Sequence, residues 1–255
     1  MTTMHANEHD ENREVNYRST LNLSNVNRAA LIESMLLAGA AAVLLIKALD
    51  GTLVFYIHPS YIPLVVICGG VLLLMAVAHL LTGLRRPPQS LRGRASGYAL
   101  LALPIAIGLF VPARPLGSGT LGNAALGVAQ LSNVEISGQE DTQRWNLLQW
   151  AAALDLQNIP LAGREADVVG FVYHDPLRTI DGFFIARYVI AHCVADTNAV
   201  RLPVVWPDGQ ALPVDAWVRV RGQLDTLALG DRIEPALIAT SIEVVSRPAD
   251  PYLYP

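Results

Sequence analysis

The sequence predicts a membrane-anchored α + β protein, in which three N-terminal transmembrane helices precede a docking helix and a five-stranded β-barrel. Of the 255 residues, 52% are hydrophobic and only 16% are charged, which is too apolar for a soluble domain of this length. Nearly all of this apolar excess lies before residue 113. The remainder has a mixed composition with the two-residue period of β-strands. The chain therefore divides into an anchor and a domain.

The first 28 residues mix acidic side chains, among them Glu8, Asp10, Glu11 and Glu14, with arginines. They lack the basic region that opens a signal peptide, and no small-residue cleavage site follows the first apolar segment. We expect residues 1–28 to form a retained, disordered tail.

Three apolar segments follow the tail, each close to the roughly 20 residues that cross a hydrocarbon core of about 30 Å. They cover residues 29–49, 61–81 and 95–113. The first carries Glu33 and Lys47 near its ends, where long side chains reach the headgroups, although an intramembrane functional charge is the alternative. The second has His79 at its interfacial end, and Pro104 in the third predicts a kink. The sequence thus predicts three spans in contact with the lipid bilayer.

Arginines in the short loops predict the orientation of these spans. The connection between the second and third segments contains Arg85, Arg86, Arg92 and Arg94, whereas residues 50–60 contain no Lys or Arg. Positively charged loops stay in the cytoplasm. We therefore expect a multi-pass protein of the inner (cell) membrane, with a cytoplasmic amino terminus and an extracytoplasmic C-terminal domain.

Residues 114–140 are rich in Gly, Ala, Ser and Pro, which is typical of a linker. The stretch DTQRWNLLQWAAALDL then predicts a helix that starts at Asp141, with Asp141 or Thr142 as its cap. Trp145 and Ala152 follow helical spacing on its apolar face. We expect this helix to dock on the domain that follows.

From residue 166 onward, five runs have the composition and period of β-strands. They are ADVVGFVYH, GFFIARYVIAHCVA, VRLPVVW, WVRVRGQL and PALIATSIEVV. Gly170 and Gly222 lie inside the first and fourth runs, where strands of a small closed barrel must bend sharply. An immunoglobulin-like sandwich would need about seven strands. Residues 141–255 therefore predict a helix plus a five-stranded, OB-like β-barrel.

The stretch VIAHCVAD combines a histidine, a cysteine and an aspartate, so a metal site, a reactive thiol and an ordinary strand end are all open. Cys68 lies in the second apolar segment, which excludes a disulfide to Cys193 without rebuilding the fold. His192 and Cys193 are adjacent on a strand and point to opposite faces, and zinc sites need three or four ligands. We expect no metal and no other cofactor, with Cys193 inward, His192 outward and Asp196 starting the next turn through its own backbone.

Catalysis by the thiol would need Cys193, His192 and Asp196 to converge in space, and adjacency in sequence does not supply that convergence. Arg187 shares the apolar face with Cys193, so it needs a carboxylate or carbonyl partner, or it lines a pocket. The formal charge of −4 and the scarcity of stacking aromatics exclude nucleic acid as a partner.

Several segments together resemble the YcgQ-like family of permease subunits, and the resemblance covers most of residues 45–255. The segments are DGTLVFYIHPSY, GFVY, FFIARYVIAHCVAD, DAWVRVRG and ADPYLYP. It implies a bacterial membrane protein whose C-terminal half is a domain of unknown function, encoded beside a polytopic permease.

Some members of this family carry a His- and Cys-rich loop between the second and third helices, but here that loop reads RRPPQSLRGRAS. The departure argues against metal handling. The matching positions that carry over are Arg187, His192, Cys193, Asp196 and Trp217, and the family assigns them no known role.

Three functions remain open. The leading hypothesis is a non-catalytic, membrane-anchored accessory subunit whose exported β domain contacts or gates a polytopic permease partner. An alternative is a membrane-tethered protein that captures a small ligand or a metal ion at the Arg187 and Cys193 face and delivers it to a transporter. A second alternative is a thiol-dependent enzyme that uses Cys193.

Overall fold

The computed structural model describes residues 27–83, 85–87, 93–123, 134, 136, 141–156, 160–177, 180–229 and 232–255. The predicted tail, 1–28, lies outside these residues except at its last two positions. The described residues form two compact units. A helical unit contains the chain up to Ile46 together with Val65–Pro112, and a β unit contains Lys47–Leu64 together with Ala113–Pro255.

The helical unit is built from three apolar helices, α1 (Arg28–Leu49), α2 (Ile62–Gly83) and α3 (Ala95–Phe110). Among the described residues, Arg28–Leu49 and Pro59–Gly83 are long and apolar enough to cross a membrane. The third helix has only 16 residues and ends before the predicted limit at 113, because the chain is extended at Val111 and Pro112 follows. The structure thus supports two spans by length where the sequence predicted three.

Small residues let these helices pack closely. A Cβ atom added at Gly108 of α3 would lie 2.7 Å from a methyl group of Val43 in α1. One added at Gly69 of α2 would lie 2.9 Å from Leu45. Glycines at such positions are the usual means by which apolar helices approach each other in lipid.

The β unit contains a six-stranded sheet, one strand more than predicted. Its strands are β1 (Glu165–Tyr173), β2 (Gly182–Val189), β3 (Asn198–Val205), β4 (Trp217–Leu229), β5 (Arg232–Val244) and β6 (Tyr252–Leu253). Their order is β1-β4-β5-β3-β2-β6, and β1 also pairs with β2, so five of the strands are joined in a cycle. The β3–β5 and β2–β6 pairs are parallel and the others antiparallel.

Glycine allows close approaches of the backbone at the two strand positions where the sequence predicted sharp bends. A Cβ atom on Gly222 would lie 2.1 Å from the carbonyl oxygen of Ile238, and the β4–β5 register shifts at this residue. A Cβ atom on Gly170 would lie 2.7 Å from the carbonyl oxygen of Ala186. Any larger residue at either position would have to push the neighbouring strand away.

The second strand is shorter than predicted, because β2 ends at Val189 instead of continuing through Cys193. The amide of Ile190 donates to the carbonyl of Leu253 at 3.0 Å, and the next three amides bond to the carboxylate of Asp196. A side chain therefore takes the donors that a continuing ladder would use.

The predicted docking helix is divided in two. Asp141 caps a short 3₁₀ turn, Thr142–Arg144, by accepting from the amide of Gln143 at 3.1 Å. A separate helix, α4 (Leu147–Leu156), then begins, capped by the side-chain oxygen of Asn146. Trp145 and Trp150 are buried in the core of the β unit, edge to face at 5.2 Å. These tryptophans pack the helix onto the sheet.

The first part of the predicted linker, 114–140, packs on the β unit. Leu121 is buried in a hydrophobic cluster that includes Tyr188, and the Tyr188 hydroxyl donates to the carbonyl of Gly117 at 2.8 Å. The amide of Ser118 donates to Asp215 at 2.6 Å. Of the rest of the linker, only 122, 123, 134 and 136 are among the described residues.

Candidate functional site

The chain between α1 and α2 docks on the turn that follows β2. We call residues 50–61 the docked loop and residues 191–196 the acceptor turn; both belong to the β unit. Backbone contacts join them in antiparallel fashion: Ile57 pairs with Cys193, the His58 amide donates to the His192 carbonyl (2.9 Å), and the Val194 amide donates to the Tyr56 carbonyl (2.8 Å). Ile57 and Cys193 are therefore directly opposite each other, in the closer of the two antiparallel geometries.

The carboxylate of Asp196 holds the acceptor turn in shape. It accepts the backbone amides of Ala191 (3.2 Å), His192 (2.9 Å) and Cys193 (3.2 Å), and it lies 3.0 Å from Nδ1 of His192. The sequence predicted that Asp196 would start the next turn by bonding its own backbone. Its carboxylate instead bonds residues that precede it, at the end of β2. The anionic side chain thus fixes the residues that receive the docked loop.

Cys193 sits at the start of the short 3₁₀ turn Val194–Asp196, and not on the inward face of a strand. Its carbonyl accepts the backbone amide of Asp196 at 3.0 Å, and its own amide donates to the Asp196 carboxylate at 3.2 Å. The residue is half-buried and its thiol is free. Its neighbour His192 faces outward, as predicted, with 70% of its side chain exposed.

Exposed side chains cover the junction between the two segments. The ring of Tyr61 is stacked near that of His192, with centroids 6.3 Å apart and planes inclined by 28°. Tyr56 and Val194, whose backbones are hydrogen-bonded to each other, are also exposed. We call Tyr56, Tyr61, His192 and Val194 the exposed patch. Aromatic side chains at the surface are characteristic of protein interfaces.

Arg187 holds the C-terminal strap, which we define as residues 248–255. Its guanidinium donates to three backbone carbonyls: Asp250 (2.5 Å), Pro251 (3.3 Å) and Tyr252 (3.3 Å). It also lies over the ring of Trp217, 5.5 Å from the centroid. Burial lowers the pKa of Arg187, and the nearby Tyr254 and Asp250 oppose that shift. The carbonyl partners that the sequence required for this arginine are supplied by the strap.

The strap and the docked loop contact each other. The ring of His58 meets that of Tyr254 edge to face at 4.6 Å, and the Tyr252 hydroxyl donates to the carbonyl of Phe55 at 3.4 Å. Burial raises the pKa of Tyr254 to about 12, with further contributions from Asp250 and Tyr252. The five residues singled out by sequence thus fall into two groups, and the docked loop and the strap connect them.

Among the residues that the structure describes, no three His, Cys, Asp or Glu side chains gather closely enough to hold a metal ion. His174 lies at the opposite end of the β1–β2 hairpin, where its Nε2 is 3.0 Å from the carbonyl of Leu212. The chemistry that the site offers is therefore recognition by exposed aromatic, imidazole and apolar groups.

Sequence reasoning missed His58, Tyr61 and Tyr254 as parts of this site. A signal was present, because the segments DGTLVFYIHPSY and ADPYLYP both carried the family resemblance. Neither segment has a strand or helix period; the docked loop contacts the acceptor turn largely through the backbone, and the strap pairs with the end of β2. Side-chain patterns therefore could not reveal where they dock.

Comparison with known proteins agrees with the resemblance. Residues 137–255 match the DUF1980 C-terminal domain. A protein of Streptococcus mutans serotype c (strain ATCC 700610 / UA159), which carries the name of a two-component membrane permease complex subunit, is 25% identical over 272 residues. That alignment covers 88% of this chain and 99% of the relative.

The UPF0703 protein YcgQ of Bacillus subtilis (strain 168) is 27% identical over 94 residues, which are 36% of this chain and 33% of that relative. No solved structure matches the chain. The predicted resemblance is confirmed: the chain is a homologue of YcgQ and of the named permease complex subunit, and its C-terminal part is a DUF1980 C-terminal domain.

Proposed function

We propose that this chain is a non-catalytic accessory subunit of a bacterial membrane permease and that its exposed patch contacts a polytopic partner. The observation that carries the proposal is the docked loop. It presents Tyr61 beside His192 on a turn that Asp196 holds rigidly by three backbone amides. The permease-complex name of the S. mutans homologue supports the same role.

The compact β unit also supports the three-span topology with an extracytoplasmic domain. The loop between α1 and α2 belongs to the same unit as the β-strands, which supports placing both on one side of the membrane. If α1 and α2 cross, α3 must cross as well to bring the chain back to that side. Its 16 residues cover about 24 Å, a shortfall that local thinning of the bilayer accommodates. The arginines of the other loop assign the β unit to the outer face.

The proposal includes an OB-like barrel as the fold of the β unit. The cycle β1–β4–β5–β3–β2–β1, the parallel β3–β5 pair and the close approach at Gly222 support it. In this scheme the docked loop is the element that communicates with the membrane. It is continuous with α1 and α2, so a partner that shifts the exposed patch pulls on the ends of both helices.

The two alternatives have less support. A ligand at Arg187 would have to displace the three strap carbonyls that its guanidinium already holds. A thiol enzyme would need a base beside Cys193, but the nearest imidazole, that of His192, lies 3.0 Å from the Asp196 carboxylate and is 70% exposed. The accessory role therefore has the stronger support.

The test is in-cell crosslinking of the tagged full chain, followed by purification in mild detergent and mass spectrometry. We expect a polytopic membrane protein to co-purify with the parent chain in stoichiometric amount. Its recovery should fall at least tenfold when Tyr61→Ala is combined with His192→Ala. Leu177→Ala with Ile233→Ala removes two exposed apolar side chains outside the patch and serves as the matched control.

Retention of the partner by both double variants would refute the proposed interface. Purification of the parent chain alone would refute the accessory role itself. The topology has its own readout, because an alkaline phosphatase fusion at residue 140 is active only if the β unit is exported.

A further inference from the structure

One polar cluster within the helical unit has no part in the proposed interface. Oε2 of Glu33 in α1 lies 2.8 Å from Nε2 of His79 in α2, and the Tyr98 hydroxyl of α3 donates to Oε1 of Glu33 at 2.8 Å. The three side chains come from three different helices. Glu33 therefore has specific partners on its neighbouring helices, which favours the functional-charge reading over simple snorkelling.

The cluster forms one end of an otherwise apolar groove. The groove has a volume of about 620 Å³ and is lined in its apolar part by Leu36, Leu37, Ala40, Leu44, Leu101 and Ile105, among others. From Glu33 to Leu44 is 11 residues along α1, or about 16 Å of helix. That length is close to half of a hydrocarbon core of about 30 Å, the depth that one acyl chain covers.

We propose that this groove binds one amine-headed phospholipid, with an acyl chain along α1 and α3 and the ammonium group at Glu33. The inference rests on the proposed membrane placement of these helices. A carboxylate has about four acceptor positions, and His79 and Tyr98 occupy one on each oxygen. The carboxylate therefore has further acceptor positions for a head that donates hydrogen bonds, and an ammonium group matches its negative charge.

The phosphate of such a headgroup would also lie near a cationic side chain. Arg94 is the residue before α3 and lies within interaction range of both Tyr98 and Glu33. Guanidinium groups bind phosphate with charge-assisted hydrogen bonds. A phosphoethanolamine head can thus place its ammonium at Glu33 and its phosphate toward Arg94, a pairing that neither an anionic nor a quaternary head reproduces.

The apolar walls of the groove suit a lipid chain. A single alkyl chain has no polar atoms that need hydrogen-bond partners, so it suits the apolar walls. The groove thus accepts a chain that continues from a head at the polar end.

The test is native mass spectrometry of the full-length chain in mild detergent, titrated with phosphatidylethanolamine, phosphatidylcholine and phosphatidylglycerol of identical acyl chains. Phosphatidylcholine is the sharpest comparison, because its methylated nitrogen has no hydrogen to donate. We expect at least tenfold tighter binding of phosphatidylethanolamine to the parent chain. Glu33→Gln should abolish this preference, and Ala40→Phe should remove retained lipid of every class by filling the groove.

Leu100→Phe adds the same ring at an exposed site of α3 outside the groove and should change nothing. Equal binding of all three lipids by the parent chain would overturn the proposal, and this comparison requires no variant to fold. A phosphatidylethanolamine preference that survives in Glu33→Gln would also overturn it. Loss of the protein partner with Ala40→Phe, without any change in lipid, would assign the groove to a partner helix instead. Failure of the accessory role would leave the lipid result untouched, since lipid binding is measured on the isolated chain.

Discussion

The docked loop and the C-terminal strap attach to neighbouring parts of the chain at the end of β2, but by different chemistry. The strap pairs with β2 through β6, and one side chain, Arg187, holds it further by donating to three successive backbone carbonyls while lying over Trp217. The docked loop is held by backbone pairing to a turn that Asp196 shapes. The difference teaches that a cationic side chain can organise a segment visibly in the sequence, whereas backbone docking leaves little trace there.

The largest effect should come from removing the cation that holds the strap. Arg187→Met leaves three carbonyls without their donor, and we expect a loss of about 3 kcal/mol in the free energy of unfolding. Thermal unfolding of the full chain in detergent measures it, and limited proteolysis reports release of the strap. Arg144→Met removes an arginine with 88% of its side chain exposed and is the control. Equal stability of the two variants would contradict the role given to Arg187.

The next effect tests the docked loop. Asp196→Ala removes the acceptor of three backbone amides, which should cost about 2 kcal/mol and free the loop. Hydrogen exchange should then accelerate at the amides of His58 and Val194, which bond across the junction. Asp155→Ala, at an exposed carboxylate of α4, should leave those amides protected. Unchanged exchange in Asp196→Ala would mean that the turn does not depend on this side chain.

A smaller effect should come from the ion pair on β1 and β4, remote from both segments. Arg219 bonds both carboxylate oxygens of Asp167 at 2.6 and 2.7 Å, and Arg221 adds a third contact at 3.1 Å. The Arg219 hydrogen bonds, helped by Arg221, hold the pKa of Asp167 below its ordinary value of 3.8. Because these arginines are partly exposed, we expect Asp167→Asn to cost only about 1 kcal/mol at neutral pH.

The sign of the pH dependence follows from that lowered pKa. The unfolded chain takes up the Asp167 proton at a higher pH than the folded chain, so the contribution is present above pH 3.8 and is lost as the pH falls through the folded value. Unfolding free energies of the parent and Asp167→Asn should therefore converge in acid. A difference that grew as the pH fell would contradict this assignment.

The smallest effect is expected at the cysteine. Cys193→Ser replaces a half-buried thiol by a hydroxyl of similar size and leaves the backbone bonds of the turn in place, so stability should change by less than about 0.5 kcal/mol. Co-purification of the partner should be unchanged. A Cys193→Ser chain that stays folded and bound to the partner but loses all function in cells would support the thiol-enzyme alternative.

The sequence predicted the features that depend on side-chain pattern. Apolar length located α1 and α2, the two-residue period located five strands, and the glycines at 170 and 222 stand where strands approach closely. The position of Arg187 on an apolar face predicted a carbonyl or carboxylate partner, and the structure supplies carbonyls. In each case the chemistry of the residue itself carries the information.

The features that escaped prediction depend on tertiary contacts. A strand of two residues, Tyr252–Leu253, is too short for any period to show. The end of β2 at Val189 is set by the carboxylate of a residue seven positions later, and the docked loop is held through main-chain atoms. Glu33 also looked like an ordinary charge at a helix end, because its partners lie 46 and 65 residues away in the chain.

The central claim, that the loop between α1 and α2 docks on the turn carrying Cys193, has a direct test. Ile57 and Cys193 are an opposed antiparallel pair with an expected Cα separation of about 4.5 Å, within the range that a disulfide bridges. Ile57→Cys in a Cys68→Ser background should therefore form a disulfide with the native Cys193 when the full-length protein is made in cells. Thr52→Cys, at the far end of the loop, is the matched control.

Cleavage between residues 61 and 191, followed by electrophoresis without and with reductant, measures the bond. We expect nearly complete linkage for Ile57→Cys, little for Thr52→Cys, and none when Cys193→Ser is added. Linkage in the absence of added oxidant would also support an extracytoplasmic location. An Ile57→Cys chain that stays reduced even under mild oxidant, while remaining folded, would contradict the docked loop and the interface built on it.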